Sequence, residues 1–312
     1  MVSIGSGQSP GGSLDVPERL ATTVSGLPLG GDFDAPDVLA AKAGRENFPV
    51  ASRLLPQASR KALMAIYGFA RLTDDLGDEA AGDRLELLDW LDKDLERAAA
   101  GKALHPVCRQ LSPVIAQYQL SLEPFRQLIE ANRMDQRVTR YESFGDLVEY
   151  CMLSAAPVGR LVLAVFELSS PERVTLSDKV CIGLQLVEHL QDLGEDAARG
   201  RVYMPAEDMR RVGCPESDLL AVTASAPLRE LVAIEISRAR GLLGAGISLA
   251  RTLPWRSRVA VVGFAAGGMT ALDSIEQAGN DVLSTRCRPG KARFFARALA
   301  DLSATSRARN RS

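Results

Sequence analysis

The chain has 312 residues, of which 46% are hydrophobic and 24% charged, and its mean hydropathy is −0.01. This is the composition of an ordinary globular protein, and it excludes a disordered chain, collagen and a fibrous repeat. Lys and Arg number 37 against 39 Asp and Glu, so the formal net charge is −2, which speaks against a nucleic-acid binder.

Residues 1–40 are rich in Gly, Ser and Pro and read as a disordered leader with no secretory signal. From residue 41 to 285 apolar residues recur at spacings of three and four, which predicts a single all-α domain. Breakers at Pro56, Gly101, Pro106, Pro113, Ser121–Pro124, Ser169–Pro171, Gly213–Pro215, Pro227 and Pro254 divide it into roughly eight to ten helices. The longest apolar run, near Val259–Met269, is about half a membrane span. Its small residues, through Ile275, suit either the wall of a slot for a long apolar substrate or close helix packing. Residues 286–312 hold eight basic side chains and one acid, Asp301, a net +7 that leaves −9 on the other 285 residues. An acidic body suits the collection of divalent cations. Within the basic, partly helical tail, Phe294–Leu302 has the pattern of a membrane-surface helix, set against a simple solvated tail.

Five scattered cysteines without a CxxC pair fit a reducing, cytoplasmic location, with loose membrane attachment through the tail. The two histidines, His105 and His189, are too few for a histidine-rich metal centre. His189 reads as structural, His105 has no nameable partner, and Trp90 and Trp255 are expected to pack.

Two acidic constellations carry the chemistry. In the first, Asp74 and Asp78 stand four apart on one helix face, while Asp75 stands four after Arg71. Like charges at that spacing repel, which argues for a cation between them. In the second, 118 residues on from Asp74, Gln185, Glu188, Asp192 and Asp196 form one stripe by steps of three, four and four. Alone, the first reads more readily as a solvated helix end, and the second equally well as a surface stripe. Two such helices facing across a bundle would hold Mg2+, which takes oxygen ligands from a few carboxylates plus a substrate phosphate. With the diphosphate neutralised in this way, an allylic or cyclopropylcarbinyl diphosphate can ionise. Arg71 and Arg201 are placed to hold the leaving diphosphate. Their position is the only reason to choose them among 31 arginines.

In four segments the chain resembles the squalene/phytoene synthase family of head-to-head prenyl synthases. These are Glu46–Pro56, Ala65–Asp78, Tyr150–Gly159, and Gln185–Asp196 with Gly200–Pro205. Within the family, Asn47–Ala51 and Ser154–Gly159 are most similar to bacterial hydroxysqualene synthases of hopanoid pathways. The resemblance implies an isoprenoid-synthase helical bundle with a central cavity. It implies Mg2+-dependent conversion of presqualene diphosphate to hydroxysqualene, with more than one ion and no NADPH. It also implies coupling to a presqualene diphosphate synthase and a flavin-dependent oxidoreductase. Catalytic and metal roles fall on Asp74, Asp78, Asp192 and Asp196, with Asp75, Gln185 and Glu188 as further metal positions. Substrate contacts fall on Asn47, Tyr67, Arg71, Arg201 and Tyr203. Leu153 replaces a second tyrosine, Glu188 an Asn and Gln191 an Arg that are common in members catalysing both half-reactions. The alternatives are head-to-head condensation to presqualene diphosphate, squalene or phytoene, and a catalytically degenerate binding subunit.

Overall fold

The computed structural model describes residues 56–284 and 290–309. The leader, Asn47 and most of the Glu46–Pro56 segment lie outside the described residues. Among the described residues there are thirteen α-helices and no strand beyond an isolated bridge between Arg140 and Val202. In order they are α1 (Gln57–Asp78), α2 (Arg84–Ala99), α3 (Pro106–Tyr118), α4 (Glu123–Asp135), α5 (Phe144–Ser154), α6 (Ala156–Val165), α7 (Pro171–Gln191), α8 (Leu193–Ala198), α9 (Ala206–Val212), α10 (Ala226–Leu243), α11 (Ala245–Arg251), α12 (Trp255–Gln277) and α13 (Lys291–Arg309).

Local chemistry sets the helix starts. The side chains of Asp83, Ser143, Ser170 and Ser225 accept from backbone N–H groups in the first turns of α2, α5, α7 and α10. At Ser143 the Asp146 carboxylate returns the bond, completing a capping box. His105 caps α3, its Nδ1 accepting from the Val107 N–H at 3.2 Å, while Asp94 accepts from its own N–H at 2.9 Å. That supplies the partner the sequence did not reveal.

The helix number exceeds eight to ten because three long runs are cut. Pro157, in the first turn of α6, has no N–H to continue α5. Asp192, at φ −103 and ψ 7, separates α7 from α8. Gly244 separates α10 from α11. Pro113 breaks nothing and lies inside α3.

The core has two main parts. One joins α1–α4 around Phe69, Leu72, Leu91, Phe125 and Ile129, and the other joins α5, α7, α10 and α12 around Leu147, Leu190, Leu231 and Leu272. Helix α6 packs against both α1 and α7 and so spans the two parts. Two stretches, Phe144–Val165 and Trp255–Gln277, are long and apolar enough to cross a membrane by length and composition. This exceeds the half-span read from the sequence, yet half or more of each is buried inside the body. Within α12, a Cβ on Gly268 would lie 2.8 Å from Leu243 and 2.9 Å from Leu184, so this half of the small-residue run serves close packing. Trp90 is buried as expected, but Trp255 is 59% exposed, with the Arg256 guanidinium over its ring. Among the described residues of the tail, Lys291–Arg309 form α13, which packs Ala298 and Leu302 against Leu249, Leu253 and Val262.

Candidate active site

Helix α1 buries Phe69, Leu72 and Leu76, which turns Asp74 and Asp78 toward open space. Asp74 is exposed to solvent but closely surrounded by protein. Its surroundings push its carboxyl up to about 7, opposed by a hydrogen bond from Asn132 Nδ2 at 3.2 Å and by Arg71. Asn132 is placed by the crossing of α1 and α4, where Gly77 leaves no room for a side chain. A Cβ there would stand 2.1 Å from the Asn132 Oδ1. Gln136, one turn along α4, donates to the Gly77 carbonyl at 2.9 Å and fixes the same crossing.

Asp75 is buried, and its carboxylate binds Arg71 at 2.8 Å. Arg71 also reaches Glu79 at 3.5 Å. Burial works against the Arg71 charge, and Asp75, Asp74 and Glu79 outweigh it.

Gln185 and Glu188 stand half-buried on the last turns of α7, Asp192 is the residue that caps its end, and Asp196 lies in α8. The stripe is therefore not one helix. The Asp192 N–H still donates to Glu188 at 2.9 Å and the Asp196 N–H to Asp192 at 2.8 Å, so the phase continues through the break. Burial pushes the Asp196 carboxyl up to about 7, and the charge of Asp192 adds to it.

Arg201, whose N–H donates to the Asp196 carbonyl at 2.9 Å, also reaches the first constellation. Arg201 Nη2 lies 2.7 Å from Asp78 Oδ1. Burial opposes the Arg201 charge, but Asp78 holds its pKa above the ordinary value. The chain enters this position through an extended stretch in which the Val202 N–H donates to the Thr139 carbonyl at 2.9 Å. Buried Val202 anchors the stretch, and Arg201 on one side of it stays partly exposed.

A polar and aromatic floor, of which the sequence had singled out only Tyr203, lies beneath. Asp135, at the end of α4, accepts from the Tyr150 hydroxyl at 2.9 Å, and burial pushes its carboxyl up to about 6. Tyr150, Tyr141 and Tyr203 cluster with centroids 5.4–5.8 Å apart. His189 is buried and stacks on Tyr203 at 3.9 Å, and burial pulls its pKa down to about 3, so it is neutral. His189, Asp196, Arg201 and Tyr203 share a small pocket with Leu193 and Leu219. Asn132 and Asp135 gave no sequence signal beyond standing one turn apart. Tyr150 lay inside a matched segment with no role assigned. Tyr67 lies half-buried on α1, one turn before Arg71.

The squalene/phytoene synthase family matches residues 41–293, and the chain belongs to that family. It is a family of enzymes for head-to-head condensation of prenyl diphosphates, which generally use a divalent metal. A phytoene synthase of Arthrospira platensis is 35% identical over 210 residues, covering 62% of this chain and 68% of the relative. The hydroxysqualene synthase of Zymomonas mobilis subsp. mobilis is 36% identical over 202 residues, covering 64% and 67%. Among solved structures, squalene synthase HpnC from Alicyclobacillus acidocaldarius shares 40% identity at a TM-score of 0.74, covering 83% of this chain and 98% of that one. A dehydrosqualene synthase in complex with ligand, at 22% identity and a TM-score of 0.77, shares the fold. The all-α isoprenoid-synthase architecture expected from the sequence is the one observed.

Among the described residues, no three His, Cys, Asp or Glu side chains are gathered into a preformed metal site. Asp78 is held by Arg201 instead. The donor set nevertheless fits a hard divalent cation. It is built of oxygen, and Asp74 and Asp196 hold their protons more tightly than free carboxyls because they are crowded by protein and by other acids.

Proposed function

We propose that this protein converts presqualene diphosphate to hydroxysqualene, releasing diphosphate. The observation that carries the reading is the Arg201–Asp78 ion pair, which brings the first acidic constellation to the Arg201 whose N–H is bonded to Asp196 of the second. The hydroxysqualene synthase relative supports the choice of step.

In this reading Asp74 and Asp78 on one wall, and Gln185, Glu188, Asp192 and Asp196 on the other, hold Mg2+. The ions, when bound, neutralise the diphosphate and make it a leaving group. Asp75 keeps its partner and holds Arg71 in place. Arg201 exchanges Asp78 for a diphosphate oxygen when substrate enters, and Arg71 and Tyr67 flank the same group. Asn47 completes the set of substrate contacts. The C–O bond breaks with its electron pair leaving on the diphosphate. The cyclopropylcarbinyl cation rearranges, a water oxygen closes on carbon, and that water loses a proton. The aromatic floor of Tyr150, Tyr141 and Tyr203 lies where a cation is favoured by ring faces. No reductant enters. A presqualene diphosphate synthase would supply the substrate, and a flavin-dependent oxidoreductase would consume the product. We assign residues 41–285 to the catalytic domain, preceded by the leader and followed by the basic tail, in a cytoplasmic protein.

The second reading, condensation of two prenyl diphosphates, is favoured by the phytoene synthase at 35% identity. Incubation with Mg2+ and either presqualene diphosphate or farnesyl diphosphate, each with and without NADPH, separates them. Hydroxysqualene from presqualene diphosphate, with nothing from farnesyl diphosphate, is the expected result. Presqualene diphosphate or squalene from the C15 substrate would establish the second reading in its place.

A further inference from the structure

Helix α13 is apolar on two sides. Its inward stripe, with Ala298, Leu302 and buried Thr305, covers the Leu249, Leu253 and Val262 cluster. Arg297 reaches Asp273 on α12 at 3.5 Å, so its charge is spent on holding the helix to the body. The outward face is the unusual one. From 292 to 304 the exposed residues are Ala292, Arg293, Phe295, Ala296, Leu299, Ala300, Ser303 and Ala304, with one charge among them. Phe295 is 61% exposed and Leu299, one turn on, is 64% exposed. A solvated surface helix carries its polar residues on that side, and a helix apolar all round is normally covered. The uncovered stretch is about 18 Å long at 1.5 Å per residue.

Charge says what covers it. Arg286, Arg288, Lys291 and Arg293 precede the apolar stretch and Arg307, Arg309 and Arg311 follow it, while the rest of the chain carries −9. An apolar strip bracketed at both ends by cations, on an otherwise acidic molecule, matches a bilayer with anionic headgroups around a greasy interior. The acidic remainder would be repelled from the same surface, which orients the contact. We propose that the outward face of α13 is a docking surface for an anionic lipid bilayer, entered by Phe295 and Leu299. The proposal stands on this geometry and charge and does not depend on which prenyl diphosphate the enzyme uses.

The test uses full-length protein, since α13 covers core residues and its removal would expose them. Flotation is measured with phosphatidylglycerol/phosphatidylcholine vesicles and with pure phosphatidylcholine vesicles, at low salt and at 0.5 M salt. Wild type should float with the anionic vesicles at least tenfold more than with the neutral ones, and salt should reduce that. Phe295→Glu with Leu299→Glu should lose tenfold or more of the binding at unchanged Tm, since both side chains stand outside the core. Absence of wild-type binding would overturn the proposal, as would equal binding by the double variant. Size-exclusion of both proteins checks the rival occupant, a second copy of this chain. A wild-type dimer that the double variant dissolves, without lipid binding, would replace the bilayer with a self-interface.

Discussion

Arg201 links the two acidic constellations, its guanidinium 2.7 Å from Asp78 and its N–H donating to the Asp196 carbonyl at 2.9 Å. Its guanidinium presents a fork that suits a carboxylate or a phosphate oxygen pair, and a lysine would offer a point charge instead. Arg201→Ala should therefore lower kcat/KM by about 100-fold or more, with Arg201→Lys recovering only part. Steady-state kinetics on presqualene diphosphate reads both. Asp74→Asn and Asp192→Asn should abolish turnover while leaving the circular dichroism of the wild type, and Asp74→Asn should hold or raise Tm above pH 7 because it removes a carboxyl that ionises reluctantly in the fold. Gly77→Ala makes the opposite case. Its Cβ would meet the Asn132 side chain at 2.1 Å, so the fold should lose about 1–3 kcal/mol to overpacking, visible as a lower urea midpoint. The acidic stripes were legible because helical spacing fixes which side chains share a face. Asp135 and Tyr150, 15 residues apart in sequence, meet only through the packing of α4 against α5, and no spacing rule announces that contact.

At the scale of elements, the helical period predicted class and phase well and ends poorly. It read Gln185 to Asp196 as one helix, whereas the chain changes direction at Asp192 while keeping the i to i−4 bonds on each side. Proline predicted a boundary at Pro113 that α3 passes through, since its position there is exposed and the helix tolerates one missing donor. The tail shows why amphipathicity alone was ambiguous. Its inward residues satisfy a core cluster, and this was not decidable without knowing that Leu249, Leu253 and Val262 needed a cover. Leu302→Ala should accordingly lower stability by about 1–2 kcal/mol, less than a fully buried leucine would cost, measured by urea denaturation. A solvated tail would show no change.

For the whole molecule, the acidic body is an electrostatic load that pH should reveal. Asp74 and Asp196 bind protons in the folded state up to about pH 7, whereas their ordinary value is 3.8. Above that ordinary value the unfolded chain has lost these protons and the folded chain retains them, so stability falls as pH rises toward and through 7. The two buried histidines, pulled down to about 3 and about 4, act with the opposite sign, but only below their ordinary 6.5. Between about pH 6.5 and 8 the raised carboxyls dominate, and buried Glu235, also pushed up to about 7, acts with the same sign. The metal-free protein should lose Tm across that interval, Asp196→Asn should lose less, and Mg2+ with inorganic diphosphate should restore it. The measurement closest to the central claim is the fate of oxygen when presqualene diphosphate is turned over with Mg2+ in oxygen-18 water, without NADPH. Carbon–oxygen ionisation followed by water capture predicts hydroxysqualene with the heavy isotope on carbon. An unlabelled alcohol, which would mean cleavage between phosphorus and oxygen, or a hydrocarbon product, would contradict it.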